Sequence, residues 1–362
     1  MASPAATLRA LPLPRQTLVR HLLIAVLGAA ALLVLSLVLS QFDNLQLATM
    51  AYYFVAIAGL TVLTGLNGQI SLGHGALMAV GAYTTAKRGE AVALPLAVLL
   101  LAAALATALV GVAAGAAAAR LRGPYLAGAT LALAVGLPAL ANRYDAFFGG
   151  ENGLTVAPPT PPLALGETFP LERWQAWIAC AAALATYVLL ANLVRSRYGR
   201  TLRAVRDDEV AAAVSGLHVA RLQVIAFVVS AACAGLAGGL FVVVNSLAAP
   251  GAFRLDLSIA LLTGAVLGGL GSLAGAIWGA AAIVLLPTWA EDLSNALSLP
   301  AKVEANLPLA VYGVVLIVVM LAAPQGIQGA VRRAAALVRG QRFRARAAEK
   351  EEEIVCEVDK GP

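Results

Sequence analysis

LQLATMAYYFVAIAGLTVLTGLNGQISLGHGALMAVGAYTTA, residues 45–86, runs for 42 positions without one Asp, Glu, Lys or Arg. At about 1.5 Å of rise per residue, these 42 residues would make a helix roughly 60 Å long, twice the depth of a bilayer's hydrocarbon core. The stretch must therefore turn. The place is Gly65-Leu66-Asn67-Gly68-Gln69, where two glycines permit backbone angles that a helix does not use.

The same pattern extends in both directions. Uncharged apolar stretches cover 22–39, 91–119, 124–142, 174–194, 222–253, 257–290 and 305–331, and each is long enough to cross a bilayer. The 34 residues of 257–290 would extend roughly 50 Å, so they too must turn, at Gly268-Gly269-Leu270-Gly271-Ser272. With 60% hydrophobic and 12% charged residues, the chain reads as an all-α polytopic membrane protein. Its segments number about ten, or eight spans and a re-entrant helical hairpin if 257–290 dips back to one side.

Positive residues favour the cytoplasmic side. Alternation from a cytoplasmic N-terminus places there Arg9, Arg15 and Arg20, then Arg120 and Arg122, six arginines between 195 and 221, and eight Lys/Arg from 332 onward. Lys87, Arg88, Arg143, Arg173, Arg254 and Lys302 fall outside. Both termini are then cytoplasmic. The expected layout is an N-terminal tail over 1–20, a membrane domain over 21–331 and a C-terminal tail over 332–362, basic and then acidic. Within the domain, 195–221 is a cytoplasmic loop and 143–173 a proline-rich periplasmic one. The first apolar run leads into Ser40-Gln41-Phe42-Asp43 without a cleavage pattern and reads as a retained span. Cys180 and Cys233 lie in spans and Cys356 in the tail, so no disulfide framework is called for.

The spans carry no ionisable residue except His74, whereas proton-driven carriers need such groups to bind and release their ion. No paired acid and base, activated nucleophile or metal cluster is present, so neither catalysis nor a cofactor is expected. The net charge of +6 follows membrane sidedness and implies no nucleic-acid partner. No Gly-x-x-x-x-Gly-Lys-Ser/Thr loop exists to bind ATP. Passage through this chain must be passive or powered from outside.

Three regions stand out, each with two readings. Over 66–76, Asn67, Gln69, Ser71 and His74 form a polar, glycine-rich passage with Gly75. They line a path for a polar solute, or they make a turn with close glycine packing. In RSRYGRTLRAVRDDEVAAAVSG, residues 195–216, Asp207 or Asp208 can cap a short helix that runs through Ala211, Ala212 and Ala213 and ends at Gly216. That helix docks on another protein, or the arginines only fix topology and bind anionic membrane lipid. The glycines Gly268, Gly269 and Gly271 build a gate near the bilayer centre, or a tight cytoplasmic turn. The loop at 143–173 is a platform for a binding protein, or a stiff connection.

The order of several short passages resembles the LivM-type permeases of branched-chain amino acid ABC importers. These are Gly68 to Ala76 with Gly81-Ala82-Tyr83-Thr84, Arg122-Gly123-Pro124-Tyr125-Leu126 with Ala129-Thr130-Leu131, and Gly150-Glu151-Asn152-Gly153-Leu154-Thr155. Arg200 to Glu209, Val266 to Ser272 and Pro324-Gln325-Gly326 complete the set. The resemblance implies a bacterial inner-membrane subunit that moves Leu, Ile or Val. It also implies a second, LivH-like permease, two LivG/LivF-like ATPases and a periplasmic solute-binding protein. It assigns coupling to the ATPases to Arg203, Arg206, Asp207, Asp208, Glu209, Ala212 and Gly216. The usual importer pattern places Gly six positions after a Glu, and here Val210 holds that place; a docking role is implied, an ion pair from Glu209 is not. A urea or short-chain amide importer and a stand-alone channel are the alternatives.

Overall fold

In hydrocarbon an uncharged chain has to satisfy its own backbone, which a helix does within one segment. A computed structural model, describing residues 14–91, 94–121, 124–166, 168–296, 307–323 and 325–336, gives helices to the apolar stretches. Helix α1 is Pro14–Val38 and α2 is Gln41–Leu60, prolonged by a π-helical turn, Thr61–Leu66. Then come α3 (His74–Ala91), α4 (Leu96–Ala118), α5 (Pro124–Arg143), α6 (Asp145–Phe148) and α7 (Leu171–Arg195). Two short helices, α8 (Arg197–Asp207) and α9 (Glu209–Val214), precede α10 (Val219–Asn245). Helices α11 (Leu255–Gly268), α12 (Leu273–Ala296), α13 (Leu307–Ala322) and α14, over 326–336, complete the chain.

Among the described residues, seven helices are long and apolar enough to cross a membrane: α1, α2 with its π turn, α4, α5, α7, α10 and α12. Helix α11 has 14 residues and rises only about 21 Å, less than a bilayer core. The purely helical expectation misses one feature. Leu154–Thr155 (β1) pairs antiparallel with Leu247–Ala248 (β2), Leu154 opposite Ala248 and Thr155 opposite Leu247. This ladder ties the 143–173 connection to the end of α10.

Burial divides the helices into an inner pair and a rim. The apolar windows of α2 and α10 are 78% and 72% buried, against 11% for α1. Helix α10 packs on α4, α3 and α2. It comes so close to α3 that a Cβ at Gly81 would strike the backbone of Gly235, and one at Gly238 that of Met78. Polar side chains stitch the rest. The Gln175 amide donates to the Val243 carbonyl at 2.8 Å, joining α7 to α10. Trp177 Nε1 donates to Ser36 Oγ at 2.8 Å, and His21 Nδ1 meets Asn192 Oδ1 at 2.8 Å, joining α1 to α7. Leu23, Val26, Leu27, Leu101, Leu105 and Leu109 on α1 and α4 stay exposed, as a lipid-facing rim requires.

Helix α7 separates two ends of the bundle. Strand β1 of the ladder precedes it and the α8–α9 segment follows it.

Candidate functional site

The break after α2 is built from satisfied backbone. Gly68 N–H donates to the Thr64 carbonyl at 3.2 Å and Gln69 N–H to that of Leu63 at 3.3 Å. Thr64 Oγ1 closes the turn on the Gln69 carbonyl at 3.0 Å. Gly68 has φ +76°, a conformation that L side chains rarely adopt. The chain then returns alongside α2 without helical structure. At the start of α3, His74 Nε2 donates to the Ala56 carbonyl at 3.0 Å. Ala56 lies ten residues before Leu66, about 15 Å back along the helix. Leu72 N–H donates to Thr130 Oγ1 of α5 at 3.0 Å, and Gly75 N–H to Ser258 Oγ of α11 at 2.9 Å. Irregular backbone inside an apolar bundle needs such cover, and α5 and α11 supply it.

This arrangement divides the residues expected to line a path. Ser71 and His74 are fully buried; Ser71 Oγ accepts the Gly73 N–H at 3.3 Å, and Gly75 is held by Ser258. Asn67 and Gln69 are buried as well, yet among the described residues both amide atoms of Asn67 and Oε1 of Gln69 have no hydrogen-bond partner, as is also true of His74 Nδ1. They line a cavity of about 400 Å³, whose wall includes Ile70, Leu126, Arg206, Glu209 and Gln223.

The segment after α7 is two capped helices. Ser196 Oγ accepts the N–H groups of Tyr198 and Gly199 and starts α8. Asp208, not Asp207, caps α9 by accepting from Val210 and Ala211 at 2.8 and 2.9 Å. Gly216, φ +84°, ends α9, with its own N–H on the Ala213 carbonyl and Leu217 N–H on that of Ala212. Ala212 is buried, while Val210 and Val214 are 73% and 84% exposed, one helical turn apart. Arg203 donates to the Val194 carbonyl at 3.1 Å and Glu209 accepts from Gln223 at 2.9 Å. Arg206 forms an ion pair with Asp207 at 2.8 Å and also donates to the Gly65 carbonyl at 2.8 Å.

The second glycine cluster meets the first here. Gly269 and Gly271 have positive φ and form the α11–α12 turn, and Gly268 packs on Gly275. A Cβ on Gly65 would strike Gly271, one on Gly269 would touch the Gln325 carbonyl, and Arg332 of α14 donates to Ser272 Oγ at 3.1 Å. The turn therefore lies at the α8 end of the bundle, packed backbone to backbone. Ser258, Gln223 and Arg332 were not singled out from sequence, and Thr130 only as part of a resembling passage; Thr130, Ser258 and Gln223 are lone polar side chains in apolar stretches, which is the signal that would have found their role. Arg122, Gly123 and Pro324, like most of the two tails, lie outside the described residues.

A family model described as branched-chain amino acid transport system / permease component matches residues 41–323. The chain belongs to that family. The permease is similar to the high-affinity branched-chain amino acid transport system permease protein LivM of Salmonella typhimurium, 28% identical over 82% of this chain and 73% of that protein. It is 29% identical to LivM of Escherichia coli, over 78% of this chain and 69% of the relative. The corresponding LivH of Escherichia coli is 34% identical over 44% of this permease and 48% of its own length. No solved structure matches. The family match encloses the break after α2, the α8–α9 segment and the α11–α12 turn.

Proposed function

We propose that this chain is a membrane-spanning subunit of an ABC importer that carries Leu, Ile or Val across the bacterial inner membrane. The α8–α9 segment faces the cytosol and couples transport to a separate ATPase. One observation carries the coupling role. A short helix, capped at both ends and held on the bundle by Gln223, turns Val210 and Val214 outward, and among the described residues nothing covers them. An exposed apolar pair on a rigid helix fits a groove on a partner. Relatives named LivM and LivH both match, which supports pairing with a second, homologous permease. Two ATPases, docked on the paired permeases, supply the energy, and a periplasmic binding protein delivers the solute. The ten helical segments, with both termini inside, rock against the second permease in alternating access. Asn67 and Gln69 then line the path, and Ser71, His74 and Gly75 hold its irregular backbone in place. Gly268, Gly269 and Gly271 let the α11–α12 turn sit close enough to feel that movement.

The test is co-expression with partner ATPases, a second permease and a binding protein, followed by reconstitution into vesicles. ATP-driven leucine uptake that falls to background with Val210→Asp/Val214→Asp, while the ATPases still bind and hydrolyse ATP, is expected. Labelling of a Ser215→Cys variant from the periplasm of intact cells would overturn the assignment, as would uptake by this chain alone without ATP.

A further inference from the structure

The cavity between the broken end of α2 and the α8–α9 segment combines three features that packing does not explain. It holds two opposite charges that do not neutralise each other: Arg206 is paired with Asp207, and Glu209 accepts from Gln223. Of the five guanidinium N–H donors of Arg206, Asp207 and the Gly65 carbonyl take three. Two remain. Glu209 gives one oxygen to Gln223 and, among the described residues, its second has no partner.

The cavity also presents stranded polar groups. Asn67 is 4% exposed and Gln69 7%, and among the described residues both amide atoms of Asn67 and Oε1 of Gln69 are unsatisfied, a condition native interiors avoid unless water or a ligand completes it. Finally, the remaining wall is aliphatic: Ile70, Leu121, Leu126 and Val205. At about 400 Å³ the space lies in the range of small-molecule sites.

We infer that this cavity binds an aliphatic α-amino acid as its zwitterion and is the exit-side subsite of the path. The carboxylate meets Arg206, the ammonium meets Glu209, and the amides of Asn67 and Gln69 take the remaining polar contacts or the waters beside them. The side chain lies along Ile70 and Leu126. Urea offers no charge to either group, and a fatty acid or an amine offers only one. The inference deepens the permease function proposed above and depends on it. Because Arg206 and Glu209 belong to the coupling segment, a bound amino acid touches both the path and the element that moves.

The test reads this chain alone within the assembled complex. Ile70 is 52% exposed on the cavity wall, so Ile70→Cys places a thiol there, while Cys180 and Cys233 are buried and Cys356→Ser removes the tail thiol. The complex, in lipid nanodiscs without binding protein or nucleotide, is labelled with a maleimide while L-leucine is titrated. Saturable protection by leucine is expected. Leucinol, which lacks the carboxylate, and 4-methylpentanoate, which lacks the ammonium, should require at least about tenfold higher concentrations, the ratio for losing roughly 1.4 kcal/mol of charge contact. Arg206→Gln and Glu209→Gln should each raise the half-protecting leucine concentration by a similar factor. Equal protection by all three compounds, or none by leucine, overturns the subsite, and the analogue series on the unsubstituted cavity decides the matter even where a variant fails to assemble. ATP-driven uptake by the same preparation separates the two failures. Uptake without protection removes only the subsite; neither uptake nor protection removes the permease function with it.

Discussion

Gly65→Ala should damage the permease although it adds a single methyl group to a helix. The new Cβ would stand 2.7 Å from Gly271 Cα and 3.2 Å from the Leu270 carbonyl carbon. Ordinary contact begins at 3.4 Å, so the α11–α12 turn has to withdraw by at least about 0.7 Å, the difference between the two distances. Both obstacles are backbone and cannot rotate away. Overpacking of this kind costs about 1–3 kcal/mol, which over most of that range exceeds the roughly 1 kcal/mol by which Ala improves on Gly as a helix former. Nor can Gly65 move freely in the other direction, because its carbonyl is held by Arg206 at 2.8 Å. The reconstituted complex with Gly65→Ala should melt several degrees lower and lose most ATP-driven leucine uptake. Gly128→Ala, on α5, meets nothing within 4 Å and serves as the control. Melting and uptake equal to that control would refute the claim that the α2 end and the glycine turn are in backbone contact.

Gly216 has open space around it and φ +84°, so Gly216→Ala should cost about 1–2 kcal/mol of backbone strain and weaken coupling, while Gly216→Asn, which tolerates this conformation, should restore it. Coupling is read as leucine moved per ATP hydrolysed; equal loss in both variants would mean that side-chain bulk at a partner surface matters instead. Ser258→Ala removes the acceptor of the buried Gly75 N–H, and an unsatisfied buried group of this kind costs about 1–3 kcal/mol. Its melting temperature should fall while Ser258→Thr, which keeps the hydroxyl, falls less; no difference between the two would mean that the hydrogen bond contributes nothing.

The length of an uncharged stretch was enough to reveal that 45–86 and 257–290 must each turn, and where, because length against bilayer depth is a one-dimensional constraint. Caps were legible for the same reason: Asp208 and Gly216 act on neighbours two to four residues away. Helix α8 was not anticipated, since its arginines mask the spacing of Gly199, Leu202 and Val205 that it buries. Depth along the bundle was not legible either. Nothing local distinguishes a glycine turn at mid-span from one at the end, and only the contacts of Gly65 with Gly271 and of Ser272 with Arg332 place the α11–α12 turn beside α8. The partners of the broken segment, Thr130 and Ser258, come from helices 58 and 183 residues distant. A lone polar side chain in an apolar stretch marks itself as a candidate, but it does not say which distant segment it will pair with. The family match over residues 41–323 adds what no local pattern contains, the class of solute carried by relatives.

In the coupling role proposed above, the way α8 would act on the membrane part depends on two contacts made by Arg206. A hydrogen bond from a guanidinium to a carbonyl contributes about 1.5–3 kcal/mol when enclosed, and less here because the Arg206 side chain is 40% exposed. Helix α2, by contrast, is 78% buried over its apolar window, and sliding it would break many packed side-chain contacts at once, each worth only about 0.1–0.2 kcal/mol but large in sum. A pull through the Arg206–Gly65 bond therefore breaks the bond before it moves α2. A push is different. The aliphatic stem of Arg206 lies against Gly68, so close that a Cβ there would stand 2.9 Å from Arg206 Cγ. Movement of α8 toward the bundle would compress that contact, and behind it lies the broken segment, which has no helical ladder of its own. In that coupling role, transmission would then be one-directional: closure of a partner on α8–α9 would displace residues 67–70, and release would let Arg206 recapture the Gly65 carbonyl.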